Sequence, residues 1–149
     1  MSDRVVIDSY DPARDYAAVT ALWQASGLEL YPSDTAEGLA RTASHNPGLF
    51  LVARDGDRLA GAVLGTTDWR VLWVQHLAVD AAYRRHGVGA RLLAELEDRA
   101  RALELGAMLL LVFETNTGAI RFYERLGWLT APGVRFMVYP LSRTGAPEV

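Results

Sequence analysis

Residues 73–105 read WVQHLAVDAAYRRHGVGARLLAELEDRARALEL, and their reading decides the fold. The apolar run 71–79 has the composition of a strand buried on both faces. A short polar link follows, then a basic turn, Arg84-Arg85-His86-Gly87-Val88-Gly89. Beyond it Leu92, Leu93, Leu96, Ala100 and Leu103 recur at helical spacing, with Arg91, Glu95, Asp98, Arg99 and Arg101 between them. The order is strand, glycine turn, helix. The first N–H groups of such a helix have no partner, and the helix dipole is positive there. The turn is therefore suited to an anion, phosphate above all. Gly87 and Gly89 let backbone approach a ligand without an intervening Cβ. Arg84 and Arg85 add guanidinium groups that pair bidentately with phosphate oxygens. The same turn also occurs in α/β proteins simply because glycine fits it.

Working outward, residues 4–8 (RVVID) read as a first strand. Asp11-Pro12 starts a helix with an apolar stripe of Tyr16, Val19, Leu22 and Trp23, closed by Gly27. Ser33 or Asp34 caps a second helix running to His45, stopped by Asn46-Pro47-Gly48. Residues 50–53 and 59–67 form a hairpin about Asp55-Gly56. After the long helix, capped at Gly106, residues 108–113 (MLLLVF) read as a second buried strand. A short helix spans 116–126, closed by Gly127; residues 128–130 and 134–141 complete the sheet, and 142–149 form a frayed tail. The hairpins imply antiparallel pairing, and the strand–helix–strand unit 71–113 implies a parallel, right-handed crossover.

The chain has 149 residues, enough for one domain with one sizeable core, here expected over 4–141. No apolar run approaches the roughly 20 residues that cross a bilayer, and the N-terminus has no signal-peptide core. Cysteine is absent, so the protein has no thiol chemistry of its own, which fits a cytoplasmic setting. Three scattered histidines, His45, His76 and His86, argue against a metal site. A net charge of -3 argues against general nucleic-acid binding.

A second motif lies at 116–128, NTGAIRFYERLGW, where Asn116, Ile120 and Tyr123 fall on one helical face. Taken singly, Asn116 reads as an N-cap and Tyr123 as a core aromatic. Together with the first motif they are far more specific. The pair resembles the GNAT superfamily of N-acetyltransferases, whose signature R/Q-x-x-G-x-G/A is here Arg84-x-x-Gly87-x-Gly89, followed by an Asn…Tyr helix ending in Gly-aromatic. The N-terminal half also looks like small single-domain bacterial members of the YpeA type.

The resemblance implies an α/β (α+β) fold: a mixed, mostly antiparallel sheet of about six to seven strands with about four helices. Its central parallel strands splay around acetyl-CoA, the expected co-substrate, with no metal. It implies that backbone groups of Leu77, Ala78 and Val79 hold the pantetheine arm as an added strand would. Amides of Arg85, His86, Gly87, Val88, Gly89 and Ala90 would hold the pyrophosphate beside Arg84. Asn116 would contact the arm, and Tyr123 would sit near the sulfur as an acid. The implied reaction is direct transfer of an acetyl group to a primary amine in a ternary complex. The acceptor is a small molecule or a peptide or protein amine; no nucleic acid or membrane partner is expected, and a homodimer is compatible. A silent acyl-CoA-binding regulatory module is the rival class. The base stays open between His76, Glu114 and a water relay, since Gln75 cannot serve. Glu29, Tyr31, Asp34, Asp68 and Trp69 are the acceptor-side candidates, acidic and aromatic groups suiting a cationic amine.

Overall fold

The computed structural model describes residues 4–141; the tail expected at 142–149 lies outside them. The chain divides into two units, Met1–Leu110 and Leu111–Val149.

In the first unit β1 (Val5–Ser9) leads to α1 (Pro12–Ala25) and α2 (Ala36–His45), then β2 (Phe50–Asp55), β3 (Arg58–Thr67), β4 (Leu72–Val79), α3 (Val88–Ala102) and β5 (Met108–Leu110). Asp11 Oδ1 accepts from Ala13 N at 3.0 Å and starts α1. Gly27, at φ +79, ends it as expected. The cap of α2 is neither Ser33 nor Asp34 but Thr35, whose Oγ1 accepts from Gly38 N at 3.0 Å. Asp34 is engaged one turn earlier, where its carboxylate accepts from Tyr31 N at 2.8 Å.

The sheet runs in the order β1-β2-β3-β4-β5. The first three pairings are antiparallel and β4 with β5 is parallel. Ala62 and Leu64 of β3 join Val19, Trp23 and Leu39 of α1 and α2 in one apolar cluster. Gly61, whose side points the other way along the strand, meets Val88 and Leu92 of α3. The sheet is thus covered on one face by α1 and α2 and on the other by α3. A Cβ at Gly61 would lie 3.0 Å from the Ala78 carbonyl and 3.1 Å from Leu92 Cδ1, so the missing side chain lets α3 come close. The glycine at position 61 follows from this packing.

Three boundaries differ from the sequence expectation. Helix α3 ends at Ala102 rather than near Gly106, because Glu104 turns into the left-handed region at φ 58. Strand β5 covers three residues, not six, since its ladder pairs only Leu72, Trp73 and Val74 with Met108, Leu109 and Leu110. Leu111, Val112 and Phe113 are exposed, Phe113 by 74%, so 108–113 is not a fully buried strand.

The second unit holds α4 (Thr117–Arg125), capped by Asn116 and closed by Gly127 at φ +94, as its sequence dictates. Residues 128–130 and 134–141 form no strand, so the sheet has five strands among the described residues rather than six or seven. Their side chains have strand-like composition, but a strand exists only where a neighbour completes its ladder.

Candidate functional site

Strand β4 and the turn after it set the geometry. The β3–β4 register steps from Leu64↔His76 to Gly65↔Val74, leaving Gln75 as the extra residue of a bulge. Bulges re-aim the side chains beside them. Gln75 is exposed, and its Nε2 donates to Thr66 Oγ1 at 2.9 Å. His76 turns inward against the edge of the Trp23 indole, with ring centroids 4.7 Å apart. Tyr31 stacks with it, ring centroids 6.5 Å apart. Burial lowers the His76 pKa, and the Asp34 carboxylate pushes it the other way without cancelling the effect. This shift favours the neutral imidazole.

On its β5 side the β4 ladder stops at Val74. Leu77, Ala78 and Val79 lie on the strand beyond that point, so among the described residues this edge has no strand partner. After β4 comes a 3-10 turn, Ala81–Tyr83, and then the basic turn. Arg85 and Gly87 both take the left-handed conformation, at φ 67 and φ 76. A Cβ at Gly87 would meet nothing within 4 Å, so it is the backbone angle that calls for glycine there. Gly87 is the N-cap of α3 and no side chain caps the helix. The first amides of α3, from Val88, Gly89 and Ala90, thus have no partner within the helix. Arg84, Arg85 and His86 are exposed beside them, and Arg84 Nε donates back to the Val79 carbonyl at 3.3 Å. A diphosphate fits these amides and guanidinium groups, and an extended polar arm fits the free edge of β4.

The acceptor-side candidates separate into two groups. Tyr31 and Asp34 stand with His76, on a loop fixed by Tyr16 Oη donating to the Asp34 carbonyl at 2.8 Å. Asp68 is committed to its own turn, accepting from Arg70 N, and these bonds lower its pKa to about 2. Trp69 is 62% exposed and Glu29 is exposed. In the second unit Asn116 Oδ1 accepts from Ala119 N at 3.2 Å, which leaves the amide NH2 out of the cap. Tyr123 packs edge-on against Trp128 at 5.4 Å, and burial raises its pKa. Glu114 is exposed in the turn before α4.

Two features were not read from sequence. Trp23 counted only as a core residue of α1, yet its buried Nε1 has no hydrogen-bond partner and its ring flanks His76. Tyr83, immediately before Arg84, is 4% exposed and bonds Asp55 across the sheet. The D-x-x-Y spacing of Asp80 and Tyr83 signals a capped turn; Asp55 is signalled only as a hairpin residue, not as the partner of Tyr83.

Comparison with known proteins places this geometry. Residues 16–128 match the acetyltransferase (GNAT) family. An acetyltransferase of Pectobacterium atrosepticum is 31% identical over 116 residues, covering 78% of this chain and 82% of the relative. The crystal structure of Ard1 from Thermoplasma volcanium superposes with a TM-score of 0.76 at 27% identity, over 86% of this chain and 85% of that one. Naa50 of Arabidopsis thaliana, in complex with the bisubstrate analogue CoA-Ac-MVNAL, matches with a TM-score of 0.67 at 22% identity, over 83% and 82%. With the α/β fold, the β4 bulge and the glycine turn already in place, the chain belongs to the GNAT family and is an acetyltransferase.

Proposed function

We propose that the protein transfers an acetyl group from acetyl-CoA to a primary amine by direct attack in a ternary complex. The observation that carries the reading is the run from the free edge of β4 through left-handed Arg85 and Gly87 to the uncapped N-terminus of α3. Acetyl-CoA supplies the acyl group as a thioester. Amides of Arg85, His86, Gly87, Val88, Gly89 and Ala90, with Arg84 beside them, hold its diphosphate. Backbone groups of Leu77, Ala78 and Val79 align the pantetheine arm. One of their N–H groups stabilises the charge that develops on the acyl oxygen. Asn116 offers its free amide NH2 to the arm.

The acceptor enters beside Tyr31 and His76, where Asp34 attracts a cation. An alkyl ammonium near pKa 10.4 needs about 4 to 5 kcal/mol to lose its proton at neutral pH; an α-amine near 8 needs about 1 to 1.5. Neutral His76 accepts that proton, directly or through water, with Glu114 the rival base. A lowered pKa makes His76 a weak base, so it suits an α-amine better than an ε-amine. Tyr123 gives a proton to the departing thiolate. With a phenol pKa raised by burial this is uphill, so Tyr123 assists the step without being indispensable.

The test is an acceptor screen across α-amines, lysine-like amines, polyamines and aminoglycosides, read as free thiol at several pH values. Turnover with one class, and a lower kcat with little change in KM for acetyl-CoA in Tyr123→Phe, is expected. Acetyl-CoA binding without turnover on any amine would instead support the silent regulatory module.

A further inference from the structure

A cluster of four polar side chains behind the basic turn has no part in the chemistry above. Tyr83, the last residue of the 3-10 turn, is buried, and its Oη donates to Asp55 Oδ2 at 2.6 Å. Asp55 ends β2 at the β2–β3 hairpin. Arg58, which opens β3, lays its guanidinium 5.1 Å above the Tyr83 ring. Its Nη2 donates to Asp80 Oδ1 at 3.2 Å. That same Asp80 oxygen accepts from Ala82 N at 2.9 Å and so caps the 3-10 turn. The Asp80 carbonyl accepts from Tyr83 N at 2.8 Å, and Asp80 N donates to the Ala60 carbonyl of β3 at 2.8 Å. The turn is thus bolted to the hairpin at its cap, Asp80, and at its last residue, Tyr83. The next residue along the chain is Arg84.

We propose that Asp55, Arg58, Asp80 and Tyr83 are positioning residues for the phosphate-binding turn: the β2–β3 hairpin pre-forms the amide cradle of residues 84–90 before the cofactor arrives. The proposal rests on the reading of that turn as the diphosphate site. The physical reason is preorganisation. Arg85 holds a left-handed backbone that a non-glycine residue adopts only under constraint. Four exposed residues in a row, Arg84 to Gly87, would otherwise sample many conformations, and binding would have to select one. A hydrogen-bonded phenol under a guanidinium fixes the take-off point of the chain. None of the four side chains needs to touch the cofactor for this, so their effect falls on the diphosphate end of the ligand alone.

That selectivity gives the test. Calorimetric titration of the full chain with acetyl-CoA and with S-acetylpantetheine, which lacks the diphosphate, separates cradle from arm. Tyr83→Phe removes the hydroxyl and keeps the ring. It is expected to weaken acetyl-CoA by about tenfold, the loss of one charge-assisted hydrogen bond, and to leave S-acetylpantetheine within about twofold of wild type. Arg58→Gln, a change at a side chain 58% exposed, is the second variant and keeps the test available if Tyr83→Phe folds poorly. It is expected to show the same one-sided loss. Equal loss on both ligands means a general structural role and overturns the proposal; so does no loss on either. Wild-type protein that binds the two ligands equally would overturn the diphosphate reading itself, and the proposal with it.

Discussion

His76 shows how much a single residue's surroundings decide. Burial beside Trp23 and Tyr31 lowers its pKa from the usual 6.5, against the opposing pull of Asp34. The base form therefore persists below pH 6.5. If His76 takes the proton, the acid limb of the kcat/KM profile falls at an apparent pKa under 6.5. His76→Gln should abolish that limb and Glu114→Gln should leave it; the reverse result would assign the base to Glu114. The same shift acts on stability. The unfolded chain binds a proton at about 6.5 and the folded chain does not, so stability falls as pH drops from about 6.5 through the folded value. Urea unfolding at pH 7.5 and pH 5.5 should show this loss, reduced in His76→Gln. Trp23 was legible as a core residue of α1, but neither its contact with His76 nor the direction of His76 was legible in sequence. Strand alternation alone assigns neighbours to opposite faces, and only the bulge at Gln75 shows which way His76 goes.

At the scale of elements, the close approach of α3 to β3 is the packing that fixes where the basic turn stands. Gly61→Ala puts a methyl group against the Ala78 carbonyl and the Leu92 and Val88 side chains, so α3 must shift. The expected loss is about 1–3 kcal/mol, read as a lower urea midpoint. Gly118→Ala in α4 is the contrast. Its new Cβ meets nothing within 4 Å, and helix propensity should add roughly 0.5–1 kcal/mol. If both changes behaved alike, close packing at Gly61 would not be what the glycine serves. Helices and hairpins were legible because their signals are local: Asp11-Pro12, Asn46-Pro47-Gly48, Asp55-Gly56 and Gly127 each stand where a boundary falls. The end of α3 was misplaced because Glu104, not a glycine, takes the left-handed turn. The late strands were overcalled because pairing partners are not written in a strand's own composition.

Over the whole molecule, the first unit is tied together by an ion pair far apart in sequence. Arg54 of β2 reaches Asp15 of α1, Nη2 to Oδ2 at 2.6 Å, and Asp15 also accepts from Asp11 N at 2.7 Å. Burial would raise the Asp15 pKa, but the Arg54 hydrogen bonds, the Asp11 amide and the charges of Arg54 and Arg14 together outweigh it and lower it. Asp15→Ala leaves the part-buried Arg54 with only its longer contact to Asp8, Nε to Oδ2 at 3.6 Å, and the expected loss is about 3 kcal/mol in unfolding free energy, the lower end for a broken buried pair. The pair's contribution is present above the unfolded carboxyl value near 3.9 and is lost as pH falls through the lower folded value. An unfolding free energy unchanged by the substitution would show the pair to be incidental. No such pairing was visible in sequence, although the family and the strand–glycine turn–helix unit were, because Arg84-x-x-Gly87-x-Gly89 is one local motif and Asp15–Arg54 joins two distant elements. The account depends most on that motif, and a crystal structure with coenzyme A tests it directly. It should show diphosphate oxygens at hydrogen-bond distance from the amides between Arg85 and Ala90; coenzyme A bound with its diphosphate away from that turn would contradict it.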